Sequence, residues 1–312
     1  MSDTPAEQIK KFVFTSNNSK GEALEIFIPE LLQASYSFYT WPSAPVLAWF
    51  LWENRADLKG KRVLELGSGT ALPGILAAKC GASVTLSDSA TLPKSLAHTR
   101  RSCQLNNLSI NEQIKVIGVT WGLFLSNLDC IGPIDLILGS DCFFEPATFE
   151  DIIVTVSYLL ENNIGAKFFC TYQERSSDWS IEHLLEKWNL TCKVHNISTL
   201  GSQSGIDIHE IIGGLSIHLL EISCKTKFYK LFVSNLPWTV SHQELRQYFS
   251  KFGPVNVCTV VFDRSTGLSK RFGFVSFGNR QGFEEAQSAQ EHKIEGQIIQ
   301  LAPANQENNS SE

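Results

Sequence analysis

No apolar stretch of this chain is long enough to cross a membrane. The longest, Ala44 to Trp52, is nine residues and contains a proline, against the roughly 20 residues a bilayer-spanning helix needs, so no membrane partner is expected. The N-terminus, MSDTPAEQ, lacks the basic start and apolar run of a secretory signal, and no arginine precedes Arg55. It therefore reads as neither a secretory nor a mitochondrial leader, and the expected address is nucleus and cytoplasm. Cysteines stand at 80, 103, 130, 142, 170, 192, 224 and 258 with no C-x-x-C pair among them. That scatter speaks against zinc and against a disulfide framework, and no metal is expected. Internal repeats are also missing.

What is present is an ordinary globular composition, 43% hydrophobic and 19% charged over 312 residues, a length that favours two domains over one. The formal net charge of −6 is unevenly spread: residues 228–301 carry eight Lys and Arg against six Asp and Glu. Residues 60–224 alternate short β-branched or apolar runs with amphipathic stretches, the rhythm of an α/β sheet. Seven strands are predicted, at 62–66, 83–87, 114–119, 134–139, 166–171, 190–197 and 215–223. Helices are predicted at 72–80, 149–162 and 178–187, and the last two strands form an antiparallel hairpin closed by the long polar loop TLGSQSGIDIHEI. From Lys230 the order becomes strand, helix, strand, strand, helix, strand. The expected organisation is an N-terminal extension (1–35), a large α/β domain (36–226), a small α+β domain (228–302) and a disordered tail (303–312).

The segment VLELGSGTALPG, Val63 to Gly74, is an apolar strand that ends in an acid, a glycine loop and a helix start. Such a loop lets backbone N–H groups approach a ligand closely within the positive field of a helix N-terminus. A dinucleotide site needs G-x-G-x-x-G, whereas Gly67 and Gly69 are followed next by Gly74. Nineteen residues after Gly69, Asp88 ends the next strand, where a carboxylate can accept both ribose hydroxyls.

These motifs resemble the class I, S-adenosylmethionine-dependent methyltransferases, with Ala71 where that family commonly has a third glycine. TWPSAPVLAWFLW (Thr40 to Trp52), VTWG (Val119 to Gly122) and SDCFFEP (Ser140 to Pro146) narrow the resemblance to the family 16 protein methyltransferases, over nearly all of 36–224, and within that family the run of LPGILAAKCGA, LSDS, WG, SDCFFEP, TYQERSSDWS and LLEKW is most similar to a protein-arginine methyltransferase acting on histone H3. The resemblance implies a seven-stranded Rossmann-like sheet and S-adenosyl-L-methionine as cofactor. Trp41 would close over the cofactor, Glu65, Gly67 and Gly69 would hold its methionine end, Asp88 its ribose and Trp121 its adenine. A guanidinium acceptor, with a pKa above 12, needs a carboxylate to orient it and help remove its proton. Asp141, Glu145 and Glu174 are the candidates; for a lysine acceptor, whose amine must lose a proton, Phe143 and Phe144 could make the aromatic wall that promotes that loss. No pair of glutamates on one hairpin is seen, so a lysine acceptor, an RNA-binding adaptor with a non-catalytic first domain, and RNA methylation remain alternatives. The absence of an N-P-P-Y-like tetrapeptide after the fourth strand argues against the last.

KLFVSNL (Lys230 to Leu236) and KRFGFVSF (Lys270 to Phe277) have the content and spacing of the two signature strands of an RNA-recognition motif. Strand alternation puts Phe272 and Phe274 on one face and Val275 and Phe277 on the other. With Phe232 they would form a stacking platform for single-stranded RNA, and Lys270 would meet phosphate. Ser241 followed by Glu244 predicts a capping box, with Leu245, Phe249 and Phe252 facing inward. Arg271 stands where this motif usually has glycine.

Overall fold

The computed structural model describes residues 7–16, 21–31, 36–123, 128, 131–163, 165–225, 229–263 and 265–304, in two compact units, Met1–Lys225 and Thr226–Glu312. The tail read as disordered lies outside the described residues beyond Ala304.

In the first unit the residues ahead of the sheet are not a featureless extension. β1 (Glu7–Thr15) and β2 (Ala23–Leu31) form an antiparallel hairpin whose Phe14, Ile26 and Ile28 are fully buried in the core. α1 (Ser43–Glu53) follows, with Pro45 in the first turn, where a missing N–H costs no helical bond. Then come β3 (Arg62–Glu65), α2 (Leu72–Lys79), β4 (Ser83–Asp88), α3 (Pro93–Leu105), β5 (Ile114–Gly118), β6 (Leu136–Ser140), α4 (Phe149–Asn162), β7 (Lys167–Gln173), α5 (Glu182–Lys187), β8 (Leu190–His195), α6 (Ile208–Ile212) and β9 (Ile217–Cys224). The long connection expected as a plain loop contains α6, which Asp207 caps by accepting the amide of His209.

The seven strands predicted from the sequence make one sheet in the order β5-β4-β3-β6-β7-β9-β8. β3 to β7 pair in parallel, and β9 runs antiparallel to both β7 and β8. Parallel strands are covered on both faces, so both sides of the alternation are apolar. Val63 and Leu138 face the layer of α1, α2 and the hairpin, while Leu64 and Ile137 face that of α4 and α5. The strand order reverses between β3 and β6, and in open α/β sheets the ligand crevice lies beyond the carboxyl ends at such a point.

The second unit is a five-stranded antiparallel sheet ordered β11-β12-β10-β14-β13, built from β10 (Tyr229–Ser234), α7 (His242–Phe249), β11 (Val255–Phe262), β12 (Ser269–Phe277), α8 (Arg280–Ser288), β13 (His292–Ile294) and β14 (Gln297–Pro303). β13 is a short addition to the predicted order. The capping box is present, with both Ser241–Glu244 bonds formed. Leu245 and Phe249 are fully buried and Phe252 packs partly against the same core.

Candidate active site

At the carboxyl ends of β3, β4 and β6 lies a cavity of ≈ 620 Å³. Its first wall is the turn after β3, where Gly67 and Gly69 take φ of +61° and +48° and Ala71 takes +64°. The Ala71 value explains why glycine suits that position, since an L-residue held there carries roughly 1–2 kcal/mol of strain. The turn is pinned from behind. Ser68 N–H donates to Ser87 O at 2.8 Å, and Thr99 Oγ1 donates to Gly69 O at 2.9 Å. A Cβ on Gly67 would stand 3.0 Å from Trp121 Cζ2, so a side chain there would press on the indole. Asp88 closes this wall. Its Oδ2 accepts the Gly69 amide at 2.9 Å and its Oδ1 the Ser89 amide at 2.7 Å, which leaves each oxygen a further lone pair. Burial raises its pKa above the ordinary carboxylate value, against the opposing pull of those two amides.

Trp41 and Trp121 both line the cavity, and Trp41 meets Tyr39 edge-on at 5.3 Å between centroids. The hairpin helps hold this segment. The buried Glu30 accepts the Thr40 amide at 3.1 Å, and Thr40 Oγ1 donates to Thr70 Oγ1 in the glycine turn at 3.1 Å.

Glu65, expected at the methionine end, is not on the cavity wall. It points from β3 into the α1/α2 layer, fully enclosed, where Oε2 accepts the Gly74 amide at 3.0 Å. Gly74 is what makes room for it, because a Cβ there would come 2.3 Å from that oxygen. Glu65 Oε1 has no hydrogen-bond partner among the described residues, and burial pushes the carboxyl pKa up to about 8. Glu65 therefore supports the turn from below.

Of the three carboxylates proposed for catalysis, Asp141 and Glu145 line the cavity and Glu174 does not. Glu174 continues β7, its amide donating to Ser216 O at 2.9 Å. Successive residues of extended chain point to opposite sides. Glu174 thus turns away to Ser216 Oγ and His218 Nε2, at 3.2 and 3.3 Å, and its neighbour Arg175 turns into the cavity. Arg175 was not foreseen. Its Nη1 and Nη2 donate to Asp141 Oδ1 and Oδ2 at 2.9 and 2.6 Å. Asp141 itself sits at φ +54°, an unusual conformation for a non-glycine residue. Phe144 is an exposed part of the lining, whereas Phe143 is fully buried and packs edge-on against Phe149. Asp151, also unforeseen, lines the cavity beside Gly122.

Four carboxylates (Asp88, Asp141, Glu145 and Asp151) therefore face the cavity against one guanidinium. The arrangement suits positively charged guests. It offers the rings of Trp41 and Trp121, a carboxylate with spare lone pairs at Asp88 and further acids at Asp141, Glu145 and Asp151. These features fit an adenosyl sulfonium, with Asp88, Gly67, Gly69, Trp41 and Trp121 as the residues to hold it.

On the second unit, Phe232, Phe272 and Phe274 cluster on the face opposite the helices, with centroids 5.6, 5.6 and 6.3 Å apart. Val275 and Phe277 are buried beneath them. Lys230 Nζ lies 4.3 Å from the Phe274 centroid, and Lys270 is exposed. Arg271 takes φ +61°, the conformation in which glycine is favoured, and its Nε donates to Leu236 O at 3.1 Å. Its charge is thus committed to the preceding loop.

Comparison with known proteins agrees with both units. A family model described as lysine methyltransferase matches residues 20–186, and one described as RNA recognition motif matches residues 231–300. The chain is 52% identical over 182 residues to the histone-arginine methyltransferase METTL23 of Xenopus laevis, covering 58% of this chain and 76% of that protein. To METTL23 of Homo sapiens it is 52% identical over 154 residues, covering 49% of this chain and 80% of that one. The protein N-lysine methyltransferase METTL21A of Danio rerio is 33% identical over 154 residues, covering 48% and 67%.

Proposed function

We propose that this chain, which belongs to the lysine methyltransferase family through residues 20–186 and carries an RNA recognition motif, methylates an arginine side chain of a protein, histone H3 foremost. S-adenosylmethionine is the donor, and the C-terminal module holds single-stranded RNA. One observation carries this reading: a single cavity joins the Gly67–Gly69 turn and Asp88 to Asp141 and Glu145. When bound, the cofactor supplies an electrophilic methyl carbon. Asp88 would accept the ribose hydroxyls, the glycine turn would admit the methionine end without side-chain obstruction, and Trp121 would face the adenine.

On the acceptor side, a guanidinium must be presented with one nitrogen lone pair localised toward the methyl group, within about 3–3.5 Å in line. A carboxylate that accepts from its other N–H groups favours that distribution and draws off the proton lost on methylation. Asp141, enclosed and fixed by its own backbone, is suited to orient the group. Glu145, on the exposed lip, is suited to receive the proton. Arginine is favoured over lysine because the relatives at 52% identity are histone-arginine methyltransferases and because a planar carboxylate pairs with a guanidinium through two parallel bonds. A histone acceptor implies work in the nucleus as well as the cytoplasm, which fractionation of the tagged protein tests.

For the second unit, three clustered phenylalanines on an open sheet face support base stacking, and Lys230 and Lys270 support phosphate contact. The decisive experiment incubates the purified full chain and its Asp141→Asn variant with labelled cofactor and histone octamers, followed by mass spectrometry of the products. Methylarginine formed by the wild type and lost in the variant is expected. Methyl groups on lysine, or none on protein, would overturn the acceptor assignment.

A further inference from the structure

Arg175 has no part in the chemistry just described, yet it holds the residue on which the acceptor reading rests. Both oxygens of Asp141 are taken by its two terminal nitrogens, and the Asp141 side chain is only 6% exposed against 24% for Arg175. The two ends of this pair are anchored very differently. Asp141 follows β6 in a left-handed conformation, with its amide donating to Thr171 O at 2.8 Å on the neighbouring strand. Such backbone persists only where the surroundings over-determine it. Arg175 stands in the segment between β7 and α5, and among the described residues the one hydrogen bond of its guanidinium beyond Asp141 is long, 3.4 Å to Gln173 O. The carboxylate is thus the more firmly anchored of the two partners.

We propose that Arg175 is the resident occupant of the acceptor subsite and that a substrate arginine enters by taking its place on Asp141. This rests on the reading of Asp141 as the acceptor carboxylate. The exchange replaces one forked, two-bond pair by another of the same geometry, so a guanidinium displaces Arg175 with little loss. A lysine ammonium is a compact point charge that cannot engage both oxygens in the same plane, so it must give up one of the bonds it breaks. Asp141 thereby favours guanidinium over ammonium, while Arg175 lowers the apparent affinity of either guest by the same factor. Arg175 also keeps an enclosed carboxylate from standing unpaired when no substrate is present, a state that is costly in a poorly solvated site.

The test needs no turnover. Short glycine-serine peptides with one central arginine or one central lysine are titrated calorimetrically into the full chain and into its Arg175→Ala, Arg175→Gln and Asp141→Asn variants. With the competitor gone, Arg175→Ala and Arg175→Gln should bind the arginine peptide about fivefold more tightly, the upper range for a partly exposed ion pair. The lysine peptide should tighten by the same factor, so that the preference for arginine over lysine is unchanged in both. Unchanged or weaker binding by both variants, with Asp141→Asn abolishing it, would overturn the inference and make Arg175 a brace for Asp141. Binding of the arginine peptide by Asp141→Asn as tightly as by the wild type would instead remove the acceptor reading itself.

Discussion

Replacing Glu65 by glutamine isolates the proton that this enclosed carboxyl holds. Glutamine keeps an oxygen for the Gly74 amide while removing the titration. In the folded chain the carboxyl titrates at about 8 instead of the ordinary 4.5, with burial as the main cause. Between those values the folded protein keeps a proton that the unfolded chain releases, so stability falls as pH rises through this window. Below about 4.5 both states are protonated and the residue contributes no pH dependence. Above about 8 the folded state bears the whole cost of an enclosed charge. At about 1.36 kcal/mol per pKa unit, the shift of 4.5 to about 8 corresponds to a destabilisation on the order of 5 kcal/mol. The assay is denaturant unfolding of the unliganded chain from pH 5 to 9, followed by tryptophan fluorescence. Six of the seven tryptophans, all but Trp238, precede Lys225, so the signal reports the first unit. Wild type and Glu65→Gln should be similar near pH 5 and diverge steadily, with the variant the more stable at pH 9. Parallel stability curves would refute the buried, protonated state of Glu65.

Two further outcomes follow from the geometry. Gly67→Ala puts a Cβ 3.0 Å from Trp121 Cζ2 at φ +61°; calorimetry should find S-adenosylmethionine binding weaker by on the order of tenfold or more, with a stability loss of about 1–2 kcal/mol in denaturant unfolding. On the second unit, Phe274→Ala should weaken binding of a short single-stranded RNA by about 1–3 kcal/mol in fluorescence anisotropy with little change in melting. Phe277→Ala, whose ring is 3% exposed, should instead cost about 3–5 kcal/mol of folding stability.

The sheet was legible in the sequence because parallel strands buried on both faces read as continuous apolar runs, and β3, β4 and β5 close on Glu65, Asp88 and Gly118 at the crevice end. The helices were harder. α1 is enclosed almost all round, so it shows no amphipathic period. α3 begins at Pro93 and its inward face mixes small polar residues, Ser95, Thr99 and Ser102, with His98 and Cys103. The β1–β2 hairpin carries a usable signal, the alternation of Phe12 with Phe14 and of Leu24, Ile26 and Ile28, but adjacent Lys10 and Lys11 interrupt it. Within the site, Gly67, Gly69 and Asp88 could be found because their spacing is local. The pairing of Arg175 with Asp141 spans 34 residues and depends on which way the chain faces as it leaves β7. The same one-residue alternation sent Glu174 out of the cavity, and an equivalent choice on β3 put Glu65 behind the turn.

Calorimetric titration of S-adenosylmethionine into the purified full-length chain and its Asp88→Ala variant asks most directly whether the cavity beyond β3 and β4 is a cofactor site. The wild type should bind one equivalent, and the variant should bind about tenfold or more weakly, as expected when hydrogen bonds to a charged acceptor are lost. Equal affinities, or no binding by the folded wild type, would contradict it.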